Sequence, residues 1–148
     1  MHHLANLARN LAAGLRLVLF LPVSRLGFRI DLVQLLLLLV VSALIDLGVD
    51  WLRYGANGEF SWLGLGNEFF GAGILLVSAA LLALAFRESA LVLTVPVLVL
   101  AAFPLVQIVR VAPELMPDFF PHDGLFPMVF DAVMIAWVTA MTVRAVGV

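Results

Sequence analysis

The sequence predicts an all-α, polytopic membrane protein with four transmembrane helices and an N-terminal amphipathic helix at the membrane interface. Hydrophobic residues make up 64% of the 148-residue chain, and the mean hydropathy is +1.16, whereas soluble domains are about 45–50% apolar. Residues 32–45, 69–86 and 89–109 contain no charged side chain, and residues 124–143 contain only Asp131. A helix that crosses hydrocarbon needs about 20 mainly apolar residues, so we expect one membrane domain over residues 1–148.

The N-terminal segment, residues 2–21, is predicted to form an amphipathic helix that Pro22 ends. Its apolar face would contain Leu4, Leu7, Ala8, Leu11, Leu15, Val18 and Leu19, and its polar face Asn6, Arg9, Asn10, Ala13 and Arg16. Such a helix is expected to lie in the headgroup plane of the bilayer rather than to cross it. The alternative is that it packs on a partner protein.

The four spans are predicted at about 30–52, 68–86, 90–109 and 126–145. Trp51 and Tyr54 fit an interfacial aromatic belt after the first span, and a Gly-rich loop, Gly55–Asn67, with an Asn57-Gly58 turn follows. The short link Arg87-Glu88-Ser89 predicts an antiparallel hairpin of the second and third spans. Pro96 and Pro104 predict a bend in the third span.

Composition and motifs argue against an enzyme. The chain has no Cys, and all eight of its basic residues are Arg, which excludes thiolate and Schiff-base chemistry. His122-Asp123, with Glu114 and Asp118 nearby, superficially resembles a metal cluster. The loop at 111–127 has only one His and four prolines, however, so we predict no metal site and no cofactor. Nothing in the chain points to nucleic acid.

The distribution of arginine predicts the orientation in the membrane. With the N-terminus in the cytoplasm and four crossings, the cytoplasmic side holds Arg9, Arg16, Arg25, Arg29, Arg87 and Arg144, and the opposite side holds Arg53 and Arg110. Short cytoplasmic loops carry an excess of Arg and Lys. We therefore expect both termini to face the cytoplasm of a bacterial inner membrane.

Two carboxylates near the outer end of the first span are the main candidate site. Asp46 and Asp50 are four residues apart and share one helix face. An intramembrane carboxylate is a functional hypothesis by default and needs a partner; we predict an ion pair with Arg110, with Arg53 as the alternative. The pair is interpreted as structural, or as acids in a watery vestibule. A proton or ion relay and a catalytic carboxylate remain open.

A stripe of small residues marks the fourth span, where Ala132, Ala136 and Ala140 recur every four residues. Small side chains let another helix approach closely, and close packing drives helix association in lipid. We predict a helix-packing face, either within the bundle or against a separate subunit.

The stretch from Leu15 to about Phe86 carries a family resemblance. It contains a basic lead-in (LRLVLFLPVSRLGFRI), a Leu-rich span, the segment DLGVDWLRYGANGEFSWLGL and a second span. In this order it resembles bacterial membrane proteins of the Yip1-domain type, over about half of the chain. The chain lacks the DLYGP-like segment of eukaryotic members, and four predicted spans stand where that family usually has five. The resemblance implies a non-enzymatic membrane role and supplies no site residues.

The sequence therefore predicts a non-catalytic membrane protein that acts as an accessory, anchoring or assembly subunit of a larger complex. Its expected partners are the lipid bilayer and either other protein subunits or further copies of itself. The alternative is a small oligomeric transporter or channel that uses Asp46 and Asp50.

Overall fold

The structure, a computed structural model, describes residues 2–23, 27–55, 62–116, 120 and 125–147. These residues form five α-helices and no strand, which confirms the all-α prediction. The helices are α1 (His2–Val18), α2 (Leu32–Tyr54), α3 (Trp62–Phe86), α4 (Leu91–Leu115) and α5 (Phe126–Gly147).

Three of these helices contain a segment that is long and apolar enough to cross a membrane. The segments are Leu32–Arg53 in α2, Leu91–Pro113 in α4 and Phe126–Arg144 in α5. In α3 the corresponding apolar segment, Phe70–Phe86, is shorter. The predicted second span is therefore present as a helix, but it does not reach the length of the other three within the residues searched.

Two helices extend into segments that were predicted as loops. α3 begins at Trp62 rather than near residue 68, and α4 continues to Leu115, through Pro96, Pro104 and Pro113. Helices in an apolar environment tolerate Gly and Pro because neighbouring groups satisfy the freed backbone atoms. Breaker residues therefore place helix ends less reliably here than in a soluble protein. The Asn57-Gly58 turn lies outside the described residues.

The buried face of α1 differs from the predicted one. Asn10, Ala13, Gly14, Leu17 and Val18 are buried, although Asn10 and Ala13 were assigned to the polar, water-facing side. Three leucines of the predicted apolar face, Leu4, Leu15 and Leu19, are exposed, as side chains that face lipid would be. The assignment of Asn10 and Ala13 was wrong because α1 packs partly through small residues, which hydrophobic periodicity does not recognise as a contact face.

Gly14 brings α1 into backbone contact with α4. A Cβ atom added there would lie 2.9 Å from the backbone nitrogen of Ala102 and closer still to the Ala101 carbonyl. Ala101 lies next to the midpoint of the segment Leu91–Pro113. The helix therefore packs against the middle of α4, and its location at the membrane interface stays a prediction.

α4 is the central helix of the bundle and contacts all four others. Its residues Val97, Leu98, Ala101 and Ala102 are almost completely buried. They share one core with side chains of α1, α2 and α5, including Leu17, Leu38 and Met141. A second cluster joins Ala79 and Ala83 of α3 to Leu91 and Val95 of α4, as expected for an antiparallel pair joined by a short turn.

Both α1 and α3 end in a Schellman motif with a non-glycine residue at its left-handed position. Phe20 (φ 55°) and Arg87 (φ 55°) occupy these positions, which glycine usually fills. At the end of α1, the Phe20 N–H donates to the Leu17 carbonyl over 3.1 Å and the Leu21 N–H donates to the Arg16 carbonyl over 2.8 Å. The helix therefore stops before Pro22, three residues earlier than predicted.

Side chains of α5 fasten this end of α1. Trp137 Nε1 donates to the Val18 carbonyl over 3.1 Å. The Arg144 guanidinium donates to the carbonyls of Phe20 and Leu21, each over 3.0 Å, and lies 5.8 Å from the centre of the Phe20 ring. Otherwise α5 is peripheral, since only 11% of its apolar segment is buried compared with 50% for that of α4.

Candidate functional site

A hydrogen bond between α2 and α4 forms the most unusual polar site in the described bundle. Gln107 Nε2 donates to Asp46 Oδ1 over 2.7 Å. Asp46 lies seven residues before Arg53 and Gln107 lies six residues before Pro113, so both are about 9–11 Å from the end of their apolar segment. The two side chains therefore lie at a similar depth on helices that contact each other.

The second oxygen of Asp46 distinguishes this site. Asp46 Oδ2 is buried and has no hydrogen-bond partner among the described residues. A buried polar atom without a partner costs about 1–3 kcal/mol, and a carboxylate inside a membrane span is costly and is usually functional. The Asp46–Gln107 pair is therefore the first place to look for a function beyond packing.

The predicted ion pair with Arg110 is corrected to this hydrogen bond. Arg110 is exposed, and no hydrogen bond or ion pair joins it to Asp46 in the described part of the chain. Position 110 is three residues beyond Gln107, which places it about 60° around α4 and one turn nearer the end. An uncharged amide one turn deeper in the span takes the position that the arginine was expected to fill.

Asp50 does not join the Asp46 site. It pairs with Arg53 over 3.9 Å, an i,i+3 contact in which the Asp50 side chain is 60% exposed. An exposed pair of this length is worth at most about 1 kcal/mol. The candidate carboxylate pair therefore separates into an inward group, Asp46, and an outward one, Asp50.

A second polar centre, which the sequence prediction missed, lies where α1 meets the start of α2. The Asn10 side chain is fully buried; its Oδ1 accepts from the Arg29 backbone N–H over 2.8 Å and its Nδ2 donates to the Arg29 carbonyl over 3.0 Å. Gln34, also fully buried, accepts a longer bond from Asn10 Nδ2 over 3.4 Å and donates to the His3 carbonyl over 3.2 Å.

This centre is structural rather than chemical. The Asn10 side chain satisfies both backbone groups of Arg29 in the segment that returns from α1 to α2, so burying it leaves no orphaned donor. The only sequence signal was a pair of amides, one in each predicted helix. Neither residue spacing nor the periodicity of apolar residues relates positions 10 and 34, because their contact depends on the tertiary fold.

The alanine stripe of α5 faces away from the bundle. Ala132, Ala136 and Ala140 are all exposed, while Met134 and Met141 on the opposite side are buried. The stripe therefore lies outside the buried core of the described residues, and its contact with a separate subunit stays a prediction.

The predicted absence of a metal site concerns a loop that lies largely outside the described residues. Among the described side chains, no group of three or more His, Asp or Glu residues is placed to hold a metal ion. His122, Asp123 and Asp118 of the predicted loop cluster lie outside the described residues.

No protein-family model, no curated protein and no solved structure matches this chain. The resemblance to Yip1-domain proteins therefore stays a prediction from the sequence.

Proposed function

We propose that the chain is a four-span, non-catalytic membrane protein that acts as an accessory or assembly subunit and joins its complex through the outward face of α5. One observation carries the proposal. Among the three helices with an apolar segment of spanning length, α5 is the least buried, at 11%, and its small-residue stripe is exposed. A stripe of alanines does not improve packing against lipid, but it lets the backbone of a second helix approach closely, which favours helix association.

The fourth span in this proposal is α3. With 25 residues, it is about 37 Å long at 1.5 Å per residue, which exceeds the hydrocarbon thickness of about 30 Å. It packs against α4 through Ala79 and Ala83. The turn at Arg87 joins the two helices as an antiparallel pair. A helix packed alongside a spanning helix in this way occupies the same layer.

Four crossings put both termini on the same side of the membrane. The arginine bias favours the cytoplasmic side of a bacterial inner membrane. A C-terminal alkaline phosphatase fusion should therefore be inactive, while a fluorescent protein at the same position should be bright. If the chain crossed three times with its N-terminus in the cytoplasm, the phosphatase fusion would be active and the fluorescent protein dark.

Cysteine cross-linking tests the α5 face directly, since the chain has no native Cys. Ala136→Cys should form a specific adduct with a neighbouring protein in membranes treated with a thiol cross-linker. Ala85→Cys, at an exposed alanine of α3, is the matched control and should not. A disulfide-linked dimer of Ala136→Cys would identify a second copy of the chain as the neighbour. Equal labelling at both positions would show that the α5 face contacts lipid.

A small oligomeric transporter or channel is the second candidate, and the unpartnered Oδ2 of Asp46 favours it. Ser42, one turn before Asp46, is also buried, but the fully buried Leu38 lies between it and Gln34. The buried polar residues of α2 therefore do not form a continuous polar path, because Leu38 interrupts them. Cation or proton flux into liposomes that Asp46→Asn abolishes and Asp50→Asn preserves would favour transport over the accessory role.

A further inference from the structure

A pocket of about 450 Å³ opens where the link from α1 to α2 meets the turn from α3 to α4. Its lining includes Phe28, Arg29, Asp31, Glu88, Leu91 and Thr94. The apolar segments of α2 and α4 begin at Leu32 and Leu91, directly beside it. If these helices span the bilayer, the pocket lies at the headgroup level of one leaflet.

The pocket combines one cation with two carboxylates over an apolar floor. The Arg29 side chain is exposed and has no hydrogen bond or ion pair within the described chain, because the Asn10 contacts use only its backbone. Asp31 caps α2 by accepting from the Gln34 N–H over 2.8 Å. Phe28 and Leu91 are at most 5% exposed and close the inner side.

The charges of the pocket favour some lipid headgroups over others. A free guanidinium binds phosphate through charge-assisted hydrogen bonds, and the carboxylates of Asp31 and Glu88 favour a primary ammonium that can donate to them. An anionic headgroup without an amine would meet two like charges. A trimethylated ammonium would have no proton to donate.

We propose that the pocket binds the headgroup of a phospholipid that carries both a phosphate and a primary ammonium, as in phosphatidylethanolamine. The phosphate lies on Arg29 and the ammonium faces Asp31 and Glu88. The acyl chains follow the exposed apolar stripe that continues from the pocket along α2, formed by Leu32, Leu36, Val40 and Leu44. This site is separate from the α5 face and does not depend on the proposed accessory function.

The test measures lipid retention by the full chain in mild detergent, after delipidation and addition of equal amounts of phosphatidylethanolamine, phosphatidylglycerol and phosphatidylcholine with matched acyl chains. Native mass spectrometry should show preferential retention of phosphatidylethanolamine. Arg29→Gln should lower that retention about tenfold, as the loss of one charge-assisted contact implies. Arg87→Gln removes the same charge from the adjacent turn but not from the pocket, and should leave retention unchanged.

Two further measurements use the unmodified chain, so they do not depend on the variants folding. Stepwise methylation of the lipid ammonium should lower retention progressively, and excess soluble phosphoethanolamine should not displace the bound lipid. Equal or stronger retention of phosphatidylglycerol, equal effects of Arg29→Gln and Arg87→Gln, or indifference to methylation would overturn the proposal. Displacement by soluble phosphoethanolamine would overturn the assignment to a lipid.

Discussion

α4 and α5 are both apolar helices of spanning length, yet half of the α4 segment is buried and only 11% of the α5 segment is. Their mean hydropathies, 2.4 and 1.7, are both high enough for a membrane span and do not explain this contrast. What differs is the type of contact. α4 receives α1 through Gly14 at backbone distance and α2 through a polar pair, whereas the side-chain hydrogen bonds from α5 to other parts of the described chain go to the end of α1.

The comparison shows that hydropathy identifies spanning helices but does not identify the centre of a bundle. In lipid, apolar side chains gain little by leaving acyl chains for a protein contact, so small residues and buried polar groups determine which helices pack together. α4 has both kinds of contact on its inner face. α5 has its small residues on the outer face, which is why we expect its partner to be another chain.

The largest predicted effect is at the contact between α1 and α4. Gly14→Ala should destabilise the protein by about 3 kcal/mol, the upper end of the usual overpacking range, because the new methyl group would overlap backbone atoms of Ala101. Thermal unfolding in detergent measures the loss. Gly73→Ala is the control, since a Cβ there meets nothing within 4 Å, and it should be neutral or slightly stabilising in a helix. Equal behaviour of the two variants would mean that α1 is not packed on α4.

The next effect is at the Asp46–Gln107 hydrogen bond. Asp46→Leu and Gln107→Leu should each cost about 1–3 kcal/mol, because each leaves a buried polar partner without its hydrogen bond. The double variant should lose less than the sum of the two, since it leaves neither group stranded. The same stability measurement in detergent gives the coupling.

Combining Asp46→Leu with Arg110→Gln provides the control for that coupling, and its effects should add. The opposite pattern would be additive effects for Asp46→Leu with Gln107→Leu and coupled effects for Asp46→Leu with Arg110→Gln. It would support the ion pair that the sequence predicted and would remove the polar contact between α2 and α4.

A smaller effect is expected where α5 holds the end of α1. Arg144→Gln removes two hydrogen bonds and a cation–π contact at a partly exposed site, and should cost about 1 kcal/mol. Hydrogen exchange should rise in the last turn of α1 and leave the centre of α4 protected. Arg110→Gln, which removes an exposed arginine from the other end of the bundle, should change neither quantity. Loss of protection throughout α4 would show that α5 is part of the central core.

The sequence predicted the helical class and the positions of three segments long and apolar enough to span a membrane, because length and apolar composition determine both. Helix ends were less predictable: α4 runs through Pro113, and Phe20 and Arg87 take backbone conformations that favour glycine. The interior contacts could not be predicted. Asn10 and Gln107 are amides whose partners lie far away in the chain, and Gly14 looks like any other helical glycine until Ala101 is placed against it.

The most direct test of the central claim is the state of assembly of Ala136→Leu. Native mass spectrometry after extraction in gentle detergent would compare it with wild type and with Ala85→Leu, the same substitution at an exposed alanine of α3. We expect wild type and Ala85→Leu to retain a protein partner or a second copy. Ala136→Leu should lose it while its melting temperature stays unchanged, because Ala136 is exposed and lies outside the described core. An unchanged assembly, or loss of folding together with assembly, would contradict the claim that the outer face of α5 is a subunit interface.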